Sequence, residues 1–135
     1  MKFELIQPGA VLVAAVSVFL VGGLWYSPLL FGRAWMRANG FTEVDVADFN
    51  KTRTFGGSAV LALIMSLNLA VFLAAEGTNM VWGAMAGALA GLGWVAAGGG
   101  IVALFENRSW TYLAIHAGYH LVSFSLMGAI LGAWR

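Results

Sequence analysis

The chain has no cysteine, only two prolines in 135 residues, and very little charge. Without a thiol there is no disulfide framework, no thiolate metal site and no cysteine nucleophile. Asp, Glu, Lys and Arg make up 10% of the chain, against about 25% in soluble globular proteins. A net charge of +1 gives no electrostatic hold on a nucleic acid, so no such partner is expected. The placement of the charges excludes more than their number does. Residues 5–32, 54–75, 77–105 and 109–134 carry none, and those four runs take up 105 of the 135 positions. Each run exceeds the roughly 20 apolar residues that a helix needs to cross the hydrocarbon core of a bilayer. The chain reads as an integral membrane protein, not as a soluble enzyme, a nucleic-acid module or a disordered tail.

What is present, then, is hydrophobic: 61% of the residues, with 18 glycines among the rest. The apolar stretch from Leu5 to Tyr26 is longer than the about 7–15 residues of a secretory signal core, and no Ala-x-Ala site follows it, so it reads as a retained helix. Pro8 suits a first helical position, where its missing N–H would be unpaired anyway. Pro28 disfavours helical geometry in Ser27 and closes that span. The expected fold is all-α: a single domain over residues 1–135, with four transmembrane helices at about 8–27, 54–75, 80–105 and 110–134. Ser109 is the expected N-cap of the fourth. Short turns at Glu76–Asn79 and Glu106–Ser109 predict that consecutive helices are antiparallel neighbours. Trp25, Tyr26, Trp110 and Tyr112 are expected at one water interface, and Trp82 and Trp134 at the other.

The connection between the first two spans holds Arg33, Arg37, Lys51 and Arg53, and the turn after span three adds Arg108. The other side has only Lys2 and Arg135. Five against two places those connections in the cytoplasm and both termini outside. Phe31, Trp35 and Ala38 fall on one side at helical spacing, with Arg33 and Arg37 opposite. That pattern predicts an amphipathic interfacial helix, ended by Asn39-Gly40, its arginines toward anionic headgroups or simply solvated. Thr42-Glu43-Val44-Asp45 reads as a capping box that starts span two in water near Glu43.

Glycines fall four apart at Gly83, Gly87 and Gly91 in span three, and at Gly128 and Gly132 in span four. In lipid such stripes let backbones approach closely. Whether they meet within one chain or between chains is left open by the sequence; with stripe residues to spare, a homo-oligomer is expected. Gly98-Gly99-Gly100 marks either a kink or an intact helix that packs closely. A weak internal repeat links Leu30-Phe31 through Arg33 and Trp35 with Leu104-Phe105 through Arg108 and Trp110, as a duplicated two-helix unit would.

No carboxylate, lysine or arginine lies within a span, which argues against ion-coupled transport. The polar residues gather in span four. Tyr112, His116, Tyr119, His120 and Ser123 share one face by their three- and four-residue spacing, and Asn68 and Ser66 of span two lie at similar depth. The candidate binding face is His116, Tyr119, His120, Ser123 and Asn68. Three readings stay open: imidazoles hydrogen-bonded across helices, a polar path or pocket in which histidine titration matters, and a metal or haem on the His-x-x-x-His pair. The last lacks a carboxylate or thiolate to complete it, so no metal and no cofactor are expected. With nothing to orient the histidines and no nucleophile, no catalysis is expected either.

The stretch Gly22-Gly23-Leu24-Trp25-Tyr26-Ser27-Pro28-Leu29-Leu30-Phe31-Gly32-Arg33-Ala34-Trp35-Met36 resembles the signature of a bacterial family of small four-helix membrane proteins catalogued as a domain of unknown function. Asn107-Arg108-Ser109-Trp110, Gly118-Tyr119 and Met127 to Trp134 are similar as well. The resemblance implies a helical inner-membrane protein and carries no activity or binding residues with it. The function expected from the residues is an oligomeric pore or binding protein for an unspecified small solute or protons. The alternative is a non-catalytic scaffold or accessory subunit that holds partner helices or lipids.

Overall fold

The structure, a computed structural model, describes residues 2–134. A short 3-10 turn at Phe3–Leu5 leads into α1, Pro8–Trp25. Two small helices follow, α2 at Gly32–Asn39 and α3 at Glu43–Ala47. Three long helices complete the chain: α4, Thr52–Phe72; α5, Met80–Phe105; and α6, Trp110–Ala133. With α1, these are long and apolar enough to cross a membrane. The protein is an all-α, multi-pass membrane protein.

Local chemistry sets the boundaries. Pro8 opens α1. Asn79 Oδ1 accepts from the Trp82 amide at 3.0 Å to start α5, and Ser109 Oγ accepts from the Tyr112 amide at 3.1 Å to start α6. Gly40 ends α2 with a φ of +68°, a left-handed geometry that glycine adopts freely. The capping box forms as well: Thr42 Oγ1 accepts from the Asp45 amide and Asp45 Oδ2 accepts from the Thr42 amide. It caps only the short α3, however. The chain then breaks, and Asn50 Oδ1 takes the Arg53 amide at 3.0 Å to begin α4 anew. The expectation that span two starts near Glu43 is therefore corrected: a second side-chain cap competes with helix continuation.

Packing departs from the neighbour rule. α1 packs on α4 and α6, and α5 packs on α6, but α4 and α5 diverge despite the short turn between them. The α1–α4 seam is fixed by Ser66, fully buried, whose hydroxyl donates to the Val11 carbonyl at 2.7 Å. Leu73 is held in the buried core, and the Ala74 carbonyl accepts from the Lys2 amide at 2.8 Å. Lys2 also pairs with Glu76, so the N-terminal turn ties the end of α4 to α1. These ties lead α4 to α1 instead of α5.

The glycine stripes meet inside the chain. A Cβ at Gly83 would overlap the Gly128 carbonyl, and one at Gly87 the Phe124 carbonyl. At Gly91 it would lie 2.6 Å from the His120 oxygen, and at Gly132 it would overlap Asn79. These two stripes therefore face each other across the α5–α6 contact. The Gly98–Gly100 triplet lies in regular α-helix, yet at Gly98 and Gly99 a Cβ would meet nothing within 4 Å. The helix is intact, and of the three only Gly100 faces a neighbour, with an added Cβ 3.4 Å from Leu113 Cδ2. The backbone instead widens to π-winding over Gly91–Ala96, beside His120.

Candidate functional site

The polar residues of α6 are covered by the end of α1, which the chain folds into a hook. After Trp25 the backbone turns back: the Phe31 amide donates to the Trp25 carbonyl, and the Gly32 amide to the Ser27 carbonyl, each at 2.9 Å. Ser27 Oγ donates to the Leu24 carbonyl at 2.6 Å. A Cβ at Gly32 would sit 2.7 Å from the Ser27 carbonyl carbon, so the hook closes only around glycine. Trp25 stacks near Phe31, with ring centroids 4.7 Å apart, and its indole N–H donates to the Ile115 carbonyl at 2.9 Å. Gly118 makes room for that indole; a Cβ there would lie 2.7 Å from Trp25 Cζ2.

Tyr26 is thereby carried into the bundle. Its hydroxyl and His116 Nδ1 are 2.6 Å apart, a short hydrogen bond between residues 90 positions apart in sequence. The Tyr26 ring lies 5.5 Å from Trp35 of α2 and 5.3 Å from Tyr119. Tyr112 packs edge-on against His116 at 4.3 Å. One turn further out, the Arg108 guanidinium sits 5.1 Å over the Tyr112 ring, and its Nη1 donates to Asn39 Oδ1 at 3.4 Å. Glu106 is the acidic neighbour, 3.7 Å from Arg108 Nε. Deeper along α6, Tyr119 donates to the Val18 carbonyl at 3.4 Å, and His120 lies beside it with rings 5.3 Å apart.

Three polar atoms on this face are buried without a hydrogen-bond partner among the described residues: His116 Nε2, His120 Nδ1 and Ser123 Oγ. Ser123 is completely buried. The Tyr26–His116 bond leaves the imidazole a choice of tautomer. If Tyr26 donates to Nδ1, the ring proton sits on Nε2; if Nδ1 donates to the hydroxyl oxygen, Nε2 is a bare acceptor. Either way the free nitrogen faces inward with a bond to make.

The structure brings together His116, Tyr119, His120 and Ser123 on one α6 face. It does not bring Asn68 to them. Asn68 is exposed and lines a separate groove between α4 and α5. The correction follows from helix geometry: two residues turn the chain about 200°, so when Ser66 points to α1, Asn68 faces nearly the opposite way. Trp25 and Tyr26, at the end of α1, turn their polar ends across to α6, the indole onto the Ile115 carbonyl and the hydroxyl onto His116. The signal for the Trp25 contact lay in Gly118, where an added Cβ would sit 2.7 Å from the indole. Nothing in the local sequence pointed to Asn39 as the partner of Arg108.

A family model described as "Protein of unknown function (DUF1761)" matches residues 9–132, a stretch that includes both the hook and the α6 face. No curated protein and no solved structure matches the chain.

Proposed function

The chain belongs to the DUF1761 family of proteins of unknown function, and from that premise we propose that it is a non-catalytic membrane protein that binds a small polar solute, or passes protons, along the face of α6. The observation that supports this reading is the row of three buried, unpartnered polar atoms on His116, His120 and Ser123. Their spacing puts them on one side of the helix over about 10 Å. Each unpaired buried group costs about 1–3 kcal/mol. A solute with donors and acceptors, or a file of water, relieves that cost, and hydrocarbon does not. The Tyr26–His116 bond suits either neutral tautomer. His116 therefore passes a proton only when an occupant at Nε2, a water or the solute, takes one there as Nδ1 receives one from the Tyr26 side, and Tyr26 is reprotonated in turn. Arg108, at the Tyr112 end of the face, favours a neutral or anionic solute over a metal cation. With both termini outside the cytoplasm of a bacterial inner membrane, the arrangement that the Lys and Arg count supports, the Arg108 end opens to the cytoplasm.

The test is flux in reconstituted vesicles carrying an entrapped pH dye, under an imposed potential, with swelling assays for small neutral and anionic solutes. The double substitution His116→Ala plus His120→Ala should abolish whichever flux the native chain supports, with helical content unchanged. Equal flux in the native and substituted proteins removes the role given to this face.

A further inference from the structure

An opening elsewhere in the molecule shares no residue with the tyrosine–histidine cluster. It is a groove of about 570 Å³ between α4 and α5, walled by Phe72, Trp82, Leu89 and Trp94, with the buried Phe124 of α6 behind them. Phe72 and Trp94 approach across it with ring centroids 6.0 Å apart. The volume lies in the range of about 300–1,000 Å³ typical of small-molecule sites. One polar side chain, Asn68, is set among these apolar walls. It is exposed, makes no hydrogen bond among the described residues, and lies seven residues before Ala75, the end of the charge-free run. Along a helix that is about 10 Å inside the apolar stretch.

An amide at that depth needs a partner, because hydrocarbon offers none. This decides among the possible occupants. An acyl chain fills the groove but leaves the amide unsatisfied. Phospholipid ester groups lie at the interface, outside the roughly 30 Å hydrocarbon core. A second copy would satisfy the amide with its own Asn68 only at a two-fold axis, where the two hollows meet each other and stay unfilled. A small molecule that dissolves in the membrane and carries its polar atom on a flat ring meets every requirement. We propose that this groove binds a lipid-soluble quinone-type molecule, with its ring against Phe72, Trp82 and Trp94 and its carbonyl accepting from Asn68 Nδ2. The amide oxygen accepts from a hydroxyl equally well, so the reduced quinol form is also held. Binding alone is proposed, with no electron transfer.

The experiment uses the full chain in phosphatidylcholine vesicles, titrated with decylubiquinone while tryptophan emission is followed. Quenching should saturate. Asn68→Leu, at an exposed position, should weaken the apparent affinity about tenfold, as loss of one well-made hydrogen bond does. Trp94→Phe should remove much of the quenching amplitude while leaving the affinity within a small factor. Linear, non-saturating quenching, identical in the native and Asn68→Leu chains, means simple partition into lipid and overturns the proposal. So does strong quenching by bromine-labelled acyl chains that decylubiquinone does not displace, which would make the occupant lipid alone. A disulfide-linked dimer formed through Leu89→Cys that blocks decylubiquinone would assign the groove to a second copy and overturn it as well.

Discussion

Two glycines of the same helix should respond to alanine with opposite signs. At Gly91 an added Cβ would sit 2.6 Å from the His120 carbonyl oxygen and 2.7 Å from Phe124 Cβ. Carbon contacts are comfortable at about 3.5–4.0 Å, so α5 must retreat from α6 by about 1 Å there. The carbonyl belongs to helical backbone and cannot rotate aside as a side-chain tip would. Overpacking of this kind typically costs about 1–3 kcal/mol, against a gain of up to about 1 kcal/mol from replacing glycine in a helix. Gly91→Ala should therefore destabilise by about 1–2 kcal/mol. At Gly98 nothing lies within 4 Å of an added Cβ. Gly98→Ala should leave stability unchanged or raise it by up to about 1 kcal/mol. Reversible unfolding in mixed micelles, followed by circular dichroism at rising denaturing-detergent fraction, reads both. If Gly98→Ala destabilises as much as Gly91→Ala, the α5–α6 contact is not where the tight approach lies, and the packing argument fails.

Tyr26→Phe keeps the ring in its aromatic nest but leaves His116 with both nitrogens unpartnered. It should lower stability by about 1–3 kcal/mol in the same unfolding assay, and an unchanged midpoint would show that the Tyr26–His116 bond holds nothing. The α3 cap should respond to pH. The Thr42 backbone N–H, and then its hydroxyl, hold the Asp45 carboxyl below its ordinary value of 3.8. A carboxylate depressed in this way stabilises fully above the ordinary value, and the contribution fades as pH falls through the lower folded one. Protection of the Val46 and Asp48 amides, taken relative to their intrinsic exchange rates, should fall in that acid window, and in Asp45→Ala it should be low throughout. Protection that is indifferent to both would refute the cap.

The spans were legible in the sequence because charge is so costly in hydrocarbon that its absence alone traces them. The caps were legible too: Asn79, Ser109, Gly40 and the Thr42 box act within a turn of their own positions. What the sequence concealed was which way each apolar helix faces. A soluble helix shows its inner face by hydrophobic contrast, but in lipid the outside is as apolar as the inside. Small residues are then the main guide, and they served well for Gly83, Gly87 and Gly128. They gave no clue that α4 would leave α5 for α1. That choice rests on Ser66 meeting Val11 and on Lys2 meeting Ala74 and Glu76, pairs 55 to 74 positions apart. Asn68 was misplaced for the same reason: depth was readable, azimuth was not.

The hook gives each residue at the end of α1 a distinct task. Gly32 allows the reversal, Trp25 anchors it to the Ile115 carbonyl, and Tyr26 is left with one direction to point, onto His116. The same reversal launches α2, whose Trp35 ring rests 5.5 Å from Tyr26 while Arg33 and Arg37 stay exposed. Tyr26 is therefore a joint between a helix with a cationic outer face and a buried polar row on α6. Rings this close cannot be displaced separately in a packed interior. A shift of α2 at Trp35 therefore presses on Tyr26 and on its short bond to His116. The α6 face and α2 thus meet at Tyr26, which is placed by a turn of eight residues from Trp25 to Gly32.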